Sequence, residues 1–291
     1  MDGTRLSDSP LGFARPALLD EALSLLSSGE WTVLAGGTDY FPGLRDRLSR
    51  DPVLDISNLQ TLRGIREDET YWQIGALTTW SDVKKAGLPP AFDALKLAAR
   101  EVGSVQIQNR GTVAGNLCNA SPAADGVPPL MILDAEVVLR SLTGERHIPL
   151  SAFIHGNRAT ARASDEIVTE IRVPKSSATG VSSFTKLGSR VYLVISIAMV
   201  SARLEISRDG KIAGAAVAVG ACSAVATRLS GLENKLLGHD ARPETLGKID
   251  VSDLAGLSPI DDVRAPASYR LDAAVELTRR SLLQCLPEGL G

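Results

Sequence analysis

The polar, glycine-rich stretch at residues 105–125 is the part of the chain best suited to binding chemistry. Its glycines, Gly111 and Gly115, allow backbone N–H groups to approach a ligand closely. Short hydroxyl, amide and carboxylate side chains beside them can hydrogen-bond that ligand: Thr112, Asn116, Asn119, Ser121 and Asp125. Buried polar groups must find partners, and a structural turn rarely needs so many of them together. We therefore favour a bound ligand here over hydrogen bonding among these side chains alone.

Another glycine turn lies earlier in the chain, where Ala-Gly-Gly-Thr-Asp at 35–39 follows a predicted buried strand at 31–34. We call this turn the first glycine segment and residues 105–125 the second glycine segment. Gly36 and Gly37 leave the backbone bare, and Thr38 adds a hydroxyl. Asp39 could orient the loop, accept from a ligand hydroxyl or cap a turn. Alone, this turn is also explained without a ligand. Together, the two glycine segments suit a long ligand with an anionic middle, such as a dinucleotide, because backbone N–H groups can hold a pyrophosphate.

Several common site types are absent from the sequence. Neither Gly-x-Gly-x-x-Gly nor a Walker A loop occurs, so no motif indicates a Rossmann or P-loop domain. Cys118, Cys222 and Cys285 are far apart and form no Cys-x-x-Cys pair, and the three histidines lack ligand spacing. We therefore predict no metal or cluster site, mostly buried reduced thiols, and histidines at the surface or in loops.

The 291 residues allow two or three small domains. The net charge of −3 gives no electrostatic footprint for nucleic acid. The longest apolar stretch, at 193–204, is too short to span a bilayer and contains Ser196, Ser201 and Arg203. Residues 1–10 show no apolar signal core. We expect a cytoplasmic protein without a membrane span.

Periodicity and turn residues predict an α+β chain. A helix is predicted at 17–28, with Leu18, Ala22, Leu25 and Leu26 sharing a face and Gly29 ending it. Pro42 suits the first turn of another helix. Further predicted elements are strands at 53–56, 71–77, 135–140 and 167–173, a helix at 92–102, a linker at 175–180, a hairpin at Asp209-Gly210 and a last helix at 271–285.

Several separated segments, in this order, resemble the FAD-binding medium subunit of molybdenum hydroxylases. That family includes the flavoprotein subunits of carbon monoxide dehydrogenases and the FAD domain of xanthine dehydrogenases. The resemblance covers nearly the whole chain. It is carried by the segments 13–16, 33–39, 106–116, 120–125, 165–168, 184–190, 258–264 and 269–270.

The resemblance implies a fold and a division of the chain. The fold would be α+β, with a two-part FAD-binding domain of the vanillyl-alcohol-oxidase-like (PCMH) type followed by a small α+β C-terminal domain. The expected divisions are an N-terminal FAD-binding subdomain at 1–58, a second FAD-binding subdomain at 59–176 and a C-terminal flavoprotein domain at 177–291.

The resemblance also implies which residues hold FAD. The first segment would wrap the pyrophosphate and its neighbours with Leu34, Ala35, Gly36, Gly37, Thr38, Asp39 and Tyr40. The other side of FAD would be held by Gly103, Thr112, Ala114, Gly115, Asn116, Asn119 and Asp125. Asp125 would reach the adenosine or ribityl hydroxyls, and the Val168 backbone would contact an adenine or ring edge. Lys186 would act at the flavin ring by stabilising reduced, anionic flavin; the alternative is a solvated surface lysine.

The implied function is electron transfer within an oxidoreductase complex. The partners would be a molybdenum-cofactor large subunit and a small subunit with 2Fe-2S clusters, assembled as a dimer of heterotrimers. FAD would pass electrons to NAD, a quinone or oxygen. One departure stands out: Ala114 replaces a family glycine, and its methyl would crowd the backbone if that position required a positive φ. Ala114 therefore leaves a flavin-free scaffold subunit as one alternative. A free-standing FAD oxidase is the other, although the sequence offers no histidine or tyrosine suited to act as its catalytic base.

Overall fold

A computed structural model describes residues 12–45 and 51–287. The N-terminal residues, for which the sequence predicts no signal core, lie outside these ranges. Each sheet with more than two strands draws those strands from one continuous part of the chain. No helix within the described ranges is both long and apolar enough to cross a membrane.

The N-terminal part contains a small parallel sheet with strand order β1-β3-β2. Its elements are β1 Phe13–Ala14, α1 Leu19–Ser28, β2 Thr32–Leu34, α2 Tyr40–Leu44 and β3 Val53–Asp55. The helix predicted at 17–28 and the strands predicted on either side of the glycine turn are confirmed. Pro42 lies within α2, as expected.

The predicted apolar face of α1 is partly wrong. Leu18 is 62% exposed, because the helix begins one residue later and Leu18 itself has an extended backbone with φ −114° and ψ 145°. The helix instead buries Ala22, Leu23 and Leu26 against β3 and its neighbours. Leu23 therefore takes the place predicted for Leu18 in this core.

The middle part is built on an antiparallel sheet with strand order β4-β5-β10-β6-β7. Its strands are β4 Ile65–Glu67, β5 Tyr71–Gly75, β6 Glu136–Ser141, β7 Gly144–Pro149 and β10 Ile167–Pro174. Short helices pack on it: α3 Trp80–Lys85, α4 Asp93–Glu101, α5 Val105–Gln108, α6 Val113–Asn119, α7 Val127–Met131 and α8 Leu150–Phe153. A separate hairpin comprises β8 Ile154–Gly156 and β9 Ala159–Thr160.

The predicted middle strands and the helix at 92–102 are confirmed, but the second glycine segment is not the continuous loop that the sequence suggested. Most of it lies in α5 and α6. Each of these helices begins after a residue whose hydroxyl accepts from a backbone N–H three residues on: Ser104 from Ile107 at 3.4 Å and Thr112 from Gly115 at 3.0 Å. In α6, the Thr112 cap compensates for the glycine and asparagine content, which otherwise disfavours helix.

The C-terminal part is an antiparallel sheet with strand order β11-β12-β13-β14, covered by a long helix. Its elements are β11 Val181–Leu187, β12 Ala198–Ile206, β13 Ile212–Gly220, β14 Thr227–Arg228, α9 Ser230–Leu236, α10 Pro243–Leu246 and α11 Ala267–Leu283. The predicted hairpin is confirmed, with Gly210 at φ +77° in its turn. The predicted last helix is also confirmed, although it ends at Leu283 and leaves Cys285 just beyond it.

Two arginines of the C-terminal sheet bind carbonyl groups at the end of α7 in the middle part. Arg203 Nε donates to the Ile132 carbonyl oxygen at 3.0 Å. Arg228 Nη1 donates to the Met131 carbonyl oxygen at 2.7 Å. The last carbonyls of a helix have no partner within the helix and carry partial negative charge. This arginine clamp, Arg203 with Arg228, therefore fixes the C-terminal sheet against the middle part.

Candidate functional site

The two glycine segments lie directly against each other. A Cβ built on Gly36 would lie 2.0 Å from the Arg110 carbonyl oxygen and 3.1 Å from Gly111 Cα. A Cβ on Gly111 would in turn lie 3.2 Å from Thr38 Oγ1. Any side chain at Gly36 would force the backbones apart, so this approach requires glycine. The structure thus brings together two segments that are widely separated in sequence.

The first glycine segment presents a run of unused backbone donors. Among the described residues, the N–H groups of 36–39 donate no hydrogen bond. Only its carbonyls are used in the turn: those of Gly37 and Asp39 accept from Phe41 and Gly43. Gly37 has φ +73°, a conformation that favours glycine. Consecutive unpaired N–H groups form a concave site for an anion, which fits the pyrophosphate of a dinucleotide.

The second segment is held by the chain that leads into α3. Trp80 N donates to the Gly111 carbonyl at 3.2 Å, and Val113 N donates to the Thr78 carbonyl at 3.0 Å. The Thr112 hydroxyl accepts from Gly115 N and caps α6. Thr112 therefore has a structural role in addition to the ligand contact that was predicted for it.

The concern about Ala114 is wrong. Ala114 lies in the first turn of α6 and is not among the residues with positive φ. Its methyl is 3% exposed and packs in the core of the middle part. A helical φ accepts alanine without strain, so the methyl does not distort the segment.

The amides of the second segment differ in what they bind. Asn116 Oδ1 accepts from Gly126 N at 3.2 Å. The half-buried side chain of Asn119 has no hydrogen-bond partner among the described residues, so its amide is available to a ligand. Just beyond it, Ala120 ends α6 in the left-handed conformation with φ +49°. Gly103, at φ +54°, lies in the turn between α4 and α5.

Asp125 and Lys186 form a buried ion pair. Lys186 Nζ lies 2.6 Å from Asp125 Oδ2, and the two side chains are 7% and 8% exposed. Ser196 Oγ donates to the other carboxylate oxygen at 2.7 Å. Burial raises the pKa of Asp125, while the charge and hydrogen bond of Lys186 oppose that rise. Lys186 is therefore not the solvated surface lysine of the alternative interpretation.

Asp39 is paired with a residue that the sequence analysis did not single out. Arg158 Nη2 lies 3.2 Å from Asp39 Oδ2, with both side chains more than half exposed. No motif marks Arg158; its role depends on a contact between positions that are remote in sequence. The only local signal is its place between two short strands.

The remaining predicted residues lie on the elements that carry these segments. Leu34 is buried at the end of β2, and Ala35 packs against the same core. Tyr40 begins α2, where its ring meets that of Phe41 edge-on at 5.3 Å. Val168 is buried in β10, beside an irregularity in its pairing with β6.

Comparison with known proteins identifies the family. A profile described as the FAD binding domain in molybdopterin dehydrogenase matches residues 9–176. The chain belongs to this family. A second profile, the CO dehydrogenase flavoprotein C-terminal domain, matches residues 183–285. This member of the molybdopterin dehydrogenase FAD-binding family therefore carries both parts of a flavoprotein subunit, as its α+β fold also indicates.

Similar proteins of this family are subunits of dehydrogenases. The chain is 35% identical to the nicotinate dehydrogenase FAD-subunit of Eubacterium barkeri over 242 residues, which are 80% of this chain and 82% of that one. It is 28% identical to the xanthine dehydrogenase FAD-binding subunit of Escherichia coli O157:H7, covering 94% and 95%. The solved carbon monoxide dehydrogenase of Hydrogenophaga pseudoflava matches with a TM-score of 0.86 at 26% identity, covering 94% and 96%.

These similarities establish the class of the protein. It is an FAD-binding medium subunit of a molybdenum hydroxylase-type oxidoreductase, and FAD is its cofactor. The geometry agrees with this cofactor, because the unused N–H donors of 36–39 lie where the two glycine segments meet.

Proposed function

We propose that this chain receives electrons from 2Fe-2S clusters on a small partner subunit and passes them, at its FAD, to NAD, a quinone or oxygen. A large partner subunit with a molybdenum cofactor would oxidise the substrate. When bound, FAD supplies the redox chemistry, and the protein supplies binding and electrostatic tuning. The contact between the two glycine segments, with its unused donors at 36–39, is the observation that carries this proposal.

In this proposal, different residues bind different parts of FAD. The N–H groups of 36–39 would bind the pyrophosphate without a counter-charge. The second segment, with Asn119 as its open amide, would hold the other side of the cofactor. Lys186 would act at the flavin ring. Because Asp125 balances its charge, Lys186 can favour an anionic flavin only to the extent that the two groups separate.

The arrangement of the complex is also a proposal. We infer a dimer of heterotrimers in the cytoplasm, with 1–58 and 59–176 forming the FAD-binding unit and 177–291 the C-terminal flavoprotein domain. The names of relatives as FAD-subunits and medium chains support the need for partners. A helical Ala114 removes the main argument for a flavin-free scaffold.

Flavin binding is tested by visible absorption. The full chain and its co-purified complex would each be mixed with FAD and separated from excess by gel filtration. We expect a flavin band whose pigment, released by acid, chromatographs as FAD and not as FMN. Absence of flavin from both the chain and the complex would contradict the proposal.

Electron transfer is tested by the composition of the co-purified complex. We expect iron and molybdenum together with the chain, and flavin reduction when the substrate of the large subunit is added without air. A purified complex that contains FAD but neither iron nor molybdenum would contradict the proposed route while leaving FAD binding intact. Mass measurement by light scattering tests the dimer of heterotrimers.

A further inference from the structure

The tip of the β8–β9 hairpin touches both glycine segments. Arg158, at this tip, has φ +57°, and its backbone N–H donates to the Ala120 carbonyl at 3.3 Å. Ala120 belongs to the second segment. The Arg158 side chain reaches the first segment through the 3.2 Å ion pair with Asp39. A single residue therefore bridges the two walls of the candidate FAD site.

The base of the hairpin is fixed to the core of the middle part. Phe153, directly before β8, is fully buried, and its carbonyl accepts from Ala161 N at 2.8 Å just after β9. Ile154 pairs with Thr160 across the hairpin. Because the base of the hairpin is fixed, its tip is held next to the two glycine segments.

A pyrophosphate at the first segment would place negative charges close to Asp39, so a cation is needed to balance them. A pyrophosphate bound to the N–H groups of 36–39 would bring about two negative charges next to the Asp39 carboxylate. Such like charges repel unless a cation lies between them or beside them. Among the described residues, Arg158 is the one cationic side chain in an ion pair with this segment.

Arg158 can bind a phosphate without first breaking a strong interaction. Its side chain is 66% exposed and that of Asp39 is 53% exposed, and ion pairs this exposed contribute little to stability. A guanidinium has five N–H donors, so it can keep one bond to a carboxylate while others bind phosphate oxygens.

We propose that Arg158 is a further FAD-binding residue, whose guanidinium bonds the pyrophosphate at the junction of the two glycine segments. This inference rests on the proposed function, because it requires FAD at that junction. The hairpin would act as a fixed strap over the pyrophosphate, with Asp39 orienting the guanidinium.

The test makes the same arginine-to-glutamine substitution at two exposed arginines. Arg158→Gln removes the charge, Arg158→Lys retains it, and Arg208→Gln is the control on the β12–β13 turn of the C-terminal sheet. Each variant would be made in the full complex, and FAD dissociation would be measured at low and high salt. Thermal unfolding of each FAD-free protein would check that the hairpin still folds.

A charge-assisted bond to phosphate predicts that Arg158→Gln weakens FAD binding about tenfold to a hundredfold. Arg158→Lys should retain most of the affinity, and Arg208→Gln should match the wild type. Salt should weaken FAD binding to the wild type more than to Arg158→Gln, because screening acts on the charge that this variant lacks.

Asp39→Asn separates a direct contact from an indirect one. If Arg158 acted only by holding Asp39, this variant would reproduce both the loss of affinity and the loss of salt dependence. A wild type that binds FAD while Arg158→Gln binds it equally well overturns the inference and leaves the proposed function standing. A wild-type complex without FAD overturns the proposed function, and the inference with it.

Discussion

Lys186 Nζ and Asp125 Oδ2 lie 2.6 Å apart and join the C-terminal part of the chain to the middle part. Lys186 comes from β11 of the C-terminal sheet, and Asp125 lies two residues before the start of α7. Both charges are nearly removed from water, which is costly unless each is fully partnered. Ser196 completes this buried cluster, because its hydroxyl donates to the other carboxylate oxygen of Asp125. The pair therefore holds both groups in place before any cofactor contact.

Removing one member of this pair should destabilise the protein more than removing both. Lys186→Met leaves a buried carboxylate, and we expect it to lower the free energy of unfolding by roughly 3–5 kcal/mol. Asp125→Asn with Lys186→Met should recover part of that loss, because no unpaired charge remains. Urea unfolding of the FAD-free chain measures both. Purely additive effects of the two single substitutions would contradict the coupling.

Much of the fold follows from local sequence signals, and the failures have local or tertiary causes. The Asp209-Gly210 turn and the helix at 17–28 depend on neighbouring residues and were predicted. Leu18 was misplaced because the helix starts at Leu19, two residues later than predicted. The helix α6 was missed, although Thr112 carries the capping signal that starts it.

The candidate site was predictable only where its chemistry is contiguous in sequence. The glycines could be found from their spacing, but the approach of Gly36 to Arg110 could not, because it depends on the packing of separate elements. The same holds for the Lys186 pair and for Arg158, whose partner Asp39 is remote in sequence. The assignment of individual residues to FAD remains a prediction.

Alanine at Gly36 should separate the two glycine segments. Its methyl would meet the Arg110 carbonyl oxygen at 2.0 Å, so the backbones must shift. We expect a loss of about 1–3 kcal/mol in stability, as for other overpacked positions, and reduced FAD retention. Flavin content after gel filtration and thermal unfolding measure the two effects.

Gly43→Ala is the matched control for this substitution. Gly43 lies a few residues downstream in α2, and a Cβ there meets no described atom within 4 Å. It should retain FAD and stability. If Gly36→Ala behaved like Gly43→Ala, the close contact between the segments would be irrelevant to FAD binding.

Asp262 should make the protein sensitive to acid. Backbone hydrogen bonds from Arg264 and Ala265 and side-chain bonds from Arg264 and Arg270 lower the pKa of Asp262 from 3.8 to about 2. A lowered pKa in the folded state stabilises the protein above pH 3.8, and this contribution is lost as the pH falls towards 2. In Asp262→Asn, the unfolding free energy should be lower at neutral pH and decline less in this window.

The acid effect is measured by urea unfolding across the pH range. Asp272→Asn is the control, because Asp272 is an exposed carboxylate on α11. Its curve should run parallel to that of the wild type. A parallel curve for Asp262→Asn as well would mean that Asp262 ionises alike in the folded and unfolded chains.

Loss of the arginine clamp should loosen the C-terminal sheet from the middle part. Arg228→Ala removes the 2.7 Å bond to the Met131 carbonyl, which keeps its 3.1 Å bond from Asp134 N, and it also removes the ion pair with Asp134. Losing one such charge-assisted hydrogen bond should lower the unfolding free energy by about 1.5–3 kcal/mol. Arg228 also binds Glu233 within its own domain. Glu233→Gln is therefore the control, since it weakens that ion pair but keeps Arg228 on the carbonyl. We expect limited proteolysis between 175 and 180 to accelerate in Arg228→Ala alone, because that segment joins the two parts. Equal acceleration in both variants would assign the effect to the ion pair between Arg228 and Glu233 and not to the clamp.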